Sequence, residues 1–294
     1  MTSKQIDFIV TGASGFIGEE ISRFLLSNSQ QVVCVTRNTQ LNSLKYKNGI
    51  FVNSLSEVSN LYDFTICTLI HCAGISPIDN IFNVDMLEIN VSLTKHASNF
   101  ATENKISKFI FLSSINVYGK IIDSILTESS PRTNTNLYGI SKYLSEQIIR
   151  DAFKKSDGMY GFLSIRLPGV VGANSKNNFL SKLRNNLIEK RPVTIWNKNG
   201  LFNNVVGIND LVRFIYFIST SNFNFDEIVN LASDVPMAIS EFSNIIQKNY
   251  GKDSEVIFHE GTELPFIIDL KRASLLGFKS RSTVDVVDSF LSKL

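Results

Sequence analysis

The first half of the chain alternates short, nearly continuous apolar runs with longer stretches whose apolar residues recur every three or four positions. "IDFIVTG", "QVVCVTR", "GIFVNSL", "TLIHCAG", "KFIFLSS" and "FLSIRLPG" are runs of the first kind, and they predict strands with both faces covered. "GFIGEEISRFLLSN" carries Ile17, Ile21, Phe24 and Leu25 on one helical side, and further helices are predicted over about 85–103 and from Tyr138 to about Phe153. Strand-helix alternation of this kind predicts an α/β chain with a Rossmann-type, doubly wound parallel sheet.

After Pro168 the texture changes. "GANSKNNFLSKLRNNLIEKRPVTIWNKNGLFNN" is polar and asparagine-rich with a helix in its middle, before "VVGINDLVRFIYFIS" and "EIVNLAS" return to apolar runs. Two more helices are predicted near 240–250 and 282–293. The pattern divides the chain into a first domain over 1–168, with a return segment at about 204–232, and a smaller C-terminal lobe over 169–294.

Composition adds mainly exclusions. In 294 residues, 29 Lys+Arg stand against 27 Asp+Glu with no long run of one sign, which leaves no footprint for nucleic acid or an anionic membrane surface. The amino-terminal stretch enters a strand directly, and no apolar run reaches membrane-spanning length, so the expectation is a cytoplasmic protein without a membrane partner. Cys34, Cys67 and Cys72 read as reduced thiols, two of them in apolar stretches, and His71, His96 and His259 are scattered, so no metal site is expected.

Two stretches carry candidate chemistry. "FIVTGASGFIGEEI" places Gly12, Gly15 and Gly18 between a strand and a helix. Glycines there allow a tight turn and close approach of the backbone to a phosphate, at a helix N-terminus that favours anions. That context makes a dinucleotide site the expected reading over a merely structural turn. The end of the second strand reads Thr36-Arg37, without the acid that would bind the ribose hydroxyls of NAD, so Arg37 favours NADP(H), with NAD(H) possible. In "NLYGISKYLSEQ", Tyr138 and Lys142 stand four apart at the start of a helix and therefore on one face, where an ammonium would favour a phenolate. Tyr138 is alone among the eight tyrosines in having a lysine four residues on.

In order along the chain, "TGASGFIG", "IHCAG", "NVSLT", "FLSSINVYG", "LTESSPRTNTNLYGISKYLSE", "IRLPGVVG" and "LLGF" resemble the extended short-chain dehydrogenase/reductase family, in its branch of nucleotide-sugar epimerases, dehydratases and reductases. The resemblance implies Tyr138 as acid/base, Lys142 as ribose ligand and tuner of the phenol, and Ser114 holding the substrate oxygen, with Ser113 as the fallback serine. It also implies cofactor contacts at Gly12, Ser14, Gly15, Phe16, Ile17, Gly18, Ala73, Gly74, Asn90 and Pro168. Substrate contacts are implied at Asn178, Phe179 and Trp196, and homodimerisation through the helices at about 85–103 and 138–153. Three departures stand out. Ile115 and Asn116 occupy positions that are acidic in dehydratases, Ser54 replaces an adenine-contacting aspartate, and Asn203 replaces a diphosphate-gripping arginine. A second such arginine is missing from "EGTELPFIIDLKRASLLGF", which leaves Arg184, Arg191 and Lys271 as substitutes. The expected function is NADP(H)-dependent reduction of a keto group, foremost the 4-keto group of a nucleotide-activated deoxysugar. Alternatives are a 4-epimerase with tightly bound NAD, a reductase of a substrate without a nucleotide, and a non-catalytic cofactor-binding scaffold.

Overall fold

The computed structural model describes residues 4–37, 48–58, 62–77, 83–155, 161–222, 225–251 and 254–292. The chain forms two compact units, the first from Met1–Gly119, Asn134–Arg166 and Ile215–Ile228, the second from Lys120–Thr133, Leu167–Phe214 and Val229–Leu294. The return segment of the first unit is thus shorter than the apolar pattern implied. An excursion at 120–133, which the pattern did not separate, belongs to the second.

The first unit is built on a seven-stranded sheet. Its strands are β1 (Phe8–Thr11), β2 (Val32–Val35), β3 (Gly49–Val52), β4 (Thr68–His71), β5 (Lys108–Ser114), β6 (Gly161–Leu167) and β7 (Phe225–Asn230). Their order across the sheet is β7-β6-β5-β4-β1-β2-β3, with the chain winding outward in both directions from the β1/β4 boundary. The pairs β1–β2, β1–β4, β2–β3 and β4–β5 are parallel, with Thr11 aligned to Val35 and to His71. Every residue of β1, β4 and β6 is buried, as continuous apolar strands require when helices cover both faces.

Helices α1 (Phe16–Ser27), α2 (Asn83–Glu103) and α3 (Leu137–Lys155) belong to this unit, and α2 packs along α3. Ile9, Leu69, Phe109 and Ile149 are wholly buried in its core, and truncating such a residue to alanine costs about 2–5 kcal/mol.

In the second unit a core of Leu180, Leu183, Ile195, Phe242, Val287 and Phe290 joins helices α4 (Phe179–Ile188), α5 (Glu241–Tyr250) and α6 (Thr283–Leu291). Short strand pairs tie its segments together: 169–171 with 205–207, 193–196 with 256–259, 201–202 with 237–238, and 125–126 with 267–268. Asn178 forms the N-cap of α4 through its side chain, and Ser282 does the same for α6.

Candidate active site

The turn between β1 and α1 admits nothing larger than glycine at two of its three glycines. Gly12 has φ +70°, and a Cβ there would lie 2.7 Å from the Ala73 nitrogen. At Gly18 a Cβ would stand 2.2 Å from the Gly12 carbonyl oxygen, so the helix can approach the strand only without one. Gly15 is the N-cap of α1, and among the described residues no side chain caps that end. The amides of Phe16, Ile17 and Gly18 therefore have no intrahelical acceptor, next to exposed Ser14. A glycine cradle at an uncapped helix N-terminus fits a pyrophosphate, so this unit has the groups to hold a dinucleotide. At the end of β2, Thr36 is buried, its amide bonded to the Val52 carbonyl at 2.8 Å, and Arg37 is exposed.

Beyond β4 the chain runs through Cys72, Ala73 and Gly74, held by an internal polar ladder. Thr11 Oγ1 and His71 Nδ1 are 2.7 Å apart, and His71 Nε2 lies 3.3 Å from Thr94 Oγ1. Burial holds His71 neutral, pushing its pKa down to about 3, with the Lys142 charge adding to the effect. Asn90 on α2 is buried and serves the same segment. Its Oδ1 accepts from the Ile75 amide at 2.7 Å, and its Nδ2 donates to the Ile75 carbonyl at 3.1 Å and to Ser141 Oγ at 3.1 Å. A Cβ on Gly74 would sit 3.1 Å from Asn90 Oδ1 and 3.5 Å from Lys142 Nζ, so both side chains flank this glycine.

The candidate catalytic groups converge from β5 and the start of α3. Asn136 caps that helix by accepting from the Gly139 amide at 2.8 Å. Gly139 lets the first turn rest on the residues that follow β5, because a Cβ there would meet the Asn116 carbonyl oxygen at 2.0 Å. The half-buried Tyr138 phenol hydrogen-bonds to the hydroxyls of Ser114 and Ser76. Lys142, buried one turn on, donates to the Leu112 carbonyl at 2.9 Å, with Nζ 5.8 Å from the Tyr138 ring centre and 5.0 Å from that of Phe111.

Burial lowers the Lys142 ammonium to about 8, against upward pulls from Cys72 and Glu146. Where the resemblance implies a phenol lowered by this lysine, the phenol stands above its ordinary value. Burial dominates, and the hydrogen bonds from Ser76 and Ser114 offset it only in part.

Ser114 and Ser113 point to different surroundings. Ser113 donates to Glu146 Oε1 at 2.6 Å inside the unit, so of the two serines Ser114 is the one at the phenol. Ser76 was not singled out from the sequence. It lies two residues past "AG" in a loop, and no periodicity marks it.

The residues expected to bind substrate lie in the second unit, as does Pro168, buried directly after β6. Asn178 Nδ2 donates to the Val170 carbonyl at 2.9 Å while its Oδ1 accepts from the Ser181 amide at 2.8 Å, so its side chain is engaged locally. Phe179 is 43% exposed and packs edge-on to Phe242. Trp196 is 54% exposed with its ring 5.1 Å from that of His259.

Asn203, in the arginine's place, is buried and pairs with both backbone groups of Ile268. It donates to the carbonyl at 2.9 Å and accepts from the amide at 2.8 Å. Of the three substitutes, Arg191 forms a surface pair with Glu189 at 2.6 Å and Lys271 is exposed. The Arg184 guanidinium lies 4.3 Å over the Phe290 ring, with Nε buried and without a hydrogen-bond partner among the described residues.

The model of the NAD dependent epimerase/dehydratase family matches residues 8–232. A Methanocaldococcus jannaschii protein provisionally named a UDP-glucose 4-epimerase is 26% identical over 295 residues, covering 92% of each chain. Among solved structures, UDP-glucuronic acid 4-epimerase from Bacillus cereus in complex with NAD superposes with a TM-score of 0.80 at 21% identity, covering 97% of each chain. MoeE5 in complex with UDP-glucose and NAD gives 0.78 at 19% identity, covering 98% of this chain and 97% of that one. At these identities the structural likeness speaks for the fold.

Proposed function

The chain belongs to the NAD-dependent epimerase/dehydratase family, and within it we propose that the protein is an NAD(H)-dependent 4-epimerase of a nucleotide-activated sugar. The observation that carries this reading is the phenol of Tyr138 bonded to Ser114 and lying one helical turn before buried Lys142, in a unit whose glycine turn fits a dinucleotide. Support for epimerisation, and for NAD over the NADP(H) that Arg37 favours in the sequence, comes from relatives that carry that activity or are seen with NAD.

In this mechanism bound NAD(H) supplies a reversible hydride acceptor at the sugar's C4. Tyr138 removes the C4 hydroxyl proton and returns it to the same oxygen after the sugar has turned its other face. Ser114 Oγ holds that oxygen through both steps, which keeps the proton path short. Lys142 places a positive charge beneath the phenol. Burial holds the phenol above its ordinary value, so a positive charge bound close to it would bring its pKa down. Ile115 and Asn116 offer no second acid or base for water elimination.

The test is to incubate purified protein with UDP-glucose, UDP-N-acetylglucosamine and UDP-glucuronic acid and to resolve C4 epimers by anion-exchange chromatography. Equilibration of one pair without net use of added cofactor is the expected result. A second reading, keto reduction with NADPH, is favoured by exposed Arg37 and the absence of an acid beside it. Stoichiometric NADPH oxidation by a 4-keto-6-deoxy sugar nucleotide, with no epimer formed, would overturn the first reading in its favour. Homodimerisation through α2 and α3 rests on Ile89, Leu93 and Leu144, apolar side chains 37–40% exposed on those helices. Sedimentation of wild type and a Leu93→Glu, Leu144→Glu variant tests it, a monomeric wild type counting against it.

A further inference from the structure

Beneath β5 lies an ion pair that the mechanism above does not use. Glu146 and Arg166 are 0% and 2% exposed, and they meet in a two-pronged contact, Nε to Oε1 at 2.9 Å and Nη2 to Oε2 at 2.7 Å. Three further groups bond to it. Ser113 and Ser164 donate to Oε1 at 2.6 and 3.1 Å, and Arg166 Nη1 donates to the Tyr118 hydroxyl at 2.7 Å. Charges this deep cost solvation that their mutual attraction barely offsets, and well-packed apolar residues often serve stability as well or better. The arrangement of the contacts gives such a pair a use.

Ser113 immediately precedes Ser114, and Tyr118 ends the turn Ile115–Tyr118 that Ser114 begins. Ser114 Oγ accepts from the Asn116 amide of that turn at 3.2 Å, and the start of α3 rests on it at Gly139. Glu146 lies on α3 one turn beyond Lys142, the same four-residue step that separates Lys142 from Tyr138. The pair therefore grips the chain on both sides of Ser114 and holds the helix that carries Tyr138 and Lys142. We propose that Glu146 and Arg166 are positioning residues that fix Ser114 against Tyr138. Ser113 and Tyr118 are their two handles, and Ser164 is a contact on the same carboxylate that leads away from the site. The inference rests on the roles given to Ser114 and Tyr138 above.

The three outer hydrogen bonds allow a matched test. Ser113→Ala, Tyr118→Phe and Ser164→Ala each remove one buried bond to the pair, so a merely structural cluster predicts similar losses of stability and activity in all three. Positioning predicts that Ser113→Ala and Tyr118→Phe lower kcat roughly 10- to 100-fold at nearly unchanged KM, as small misplacements of a reacting group do. Ser164→Ala should stay within about twofold of wild type for a positioning contact of this kind. Equal kcat in the three variants would overturn the inference.

Crystal structures of the variants need no turnover. Ser114 Oγ should leave hydrogen-bonding distance of the Tyr138 hydroxyl in Ser113→Ala and Tyr118→Phe and remain there in Ser164→Ala. An unmoved Ser114 in all three would also refute positioning. Absence of any epimer from wild type would sink the functional reading instead, while the crystal structures would still decide this one.

Discussion

The two units treat their family-matched polar positions in opposite ways. In the first, Asn90, Thr94, Ser141 and Ser145 are tied into a buried lattice, with Thr94 Oγ1 donating to the Asn90 carbonyl at 2.9 Å and lying 2.9 Å from Ser145 Oγ, which can donate to it. That lattice leaves Tyr138 and Ser114 paired with each other beside Lys142. In the second unit, the positions that resemblance assigns to substrate are bonded to their own backbone. Asn178 caps a helix and Asn203 staples the strand at 267–268. Reaction chemistry is generic to a family and sits where the fold supports it from many directions. Recognition of the particular substrate is where a sequence can diverge while the fold survives.

The largest effect expected is at the phenol. Tyr138→Phe should lower epimerisation about 10²- to 10⁴-fold, the usual range for a lost general acid/base, with NAD(H) affinity within about twofold by fluorescence titration. Unchanged turnover would leave the first unit as a cofactor-binding scaffold. In the second unit, Asn203→Ala strands both backbone groups of Ile268, and urea unfolding should show a loss of about 2–4 kcal/mol. Asn203→Arg, which restores the family's residue, cannot make both bonds. It should destabilise as well, without tighter UDP-sugar binding by calorimetry, and a gain in affinity would mean the old grip is intact apart from this one residue.

The Lys142 ammonium is lowered from its ordinary 10.5 to about 8 in the folded protein, so between those pH values the unfolded chain holds a proton the native state has released. Through this group, native stability rises with pH across that window. Denaturation at pH 8 and pH 10 should show a smaller rise in Lys142→Met than in wild type, and equal slopes would contradict the assignment. The smallest effect is expected at Arg37. Arg37→Ala should leave NAD affinity within about twofold while weakening NADPH several-fold, as loss of one exposed phosphate contact does. An equal loss for both cofactors would count against a 2′-phosphate role.

The sequence carried the sheet and the cofactor turn because their signals are local. Continuous apolar runs marked β1, β2, β4, β5 and β6, glycine spacing marked the turn, and a four-residue step marked Tyr138 and Lys142. What escaped was long-range and polar. The pairing of 125–126 with 267–268 joins two-residue strands with no periodicity to betray them. Glu146 and Arg166 look like ordinary helix and strand polar residues until the fold brings them together. Asn203 could be recognised as a departure from a family pattern, but its bonds to a residue 65 positions away could not. Ser113 and Ser114 are adjacent and chemically identical, and only the strand's alternation sends one inward and the other to the phenol.

The three cysteines give the difference between the units a kinetic form. Burial raises Cys34 to about 11, Cys67 well above the ordinary thiol value and Cys72 to about 12, so in the folded protein each is a poor nucleophile. All three lie in the first unit and none in the second. Alkylation of buried Cys34 and Cys67 by an excess of iodoacetamide is then gated by opening of the sheet, and its rate is a clock for that unit alone. The fluorescence of Trp196, the one tryptophan, times the other. A single native chain thus carries separate reporters for two melting events, and agreement or disagreement between the two clocks measures how cooperatively the units unfold.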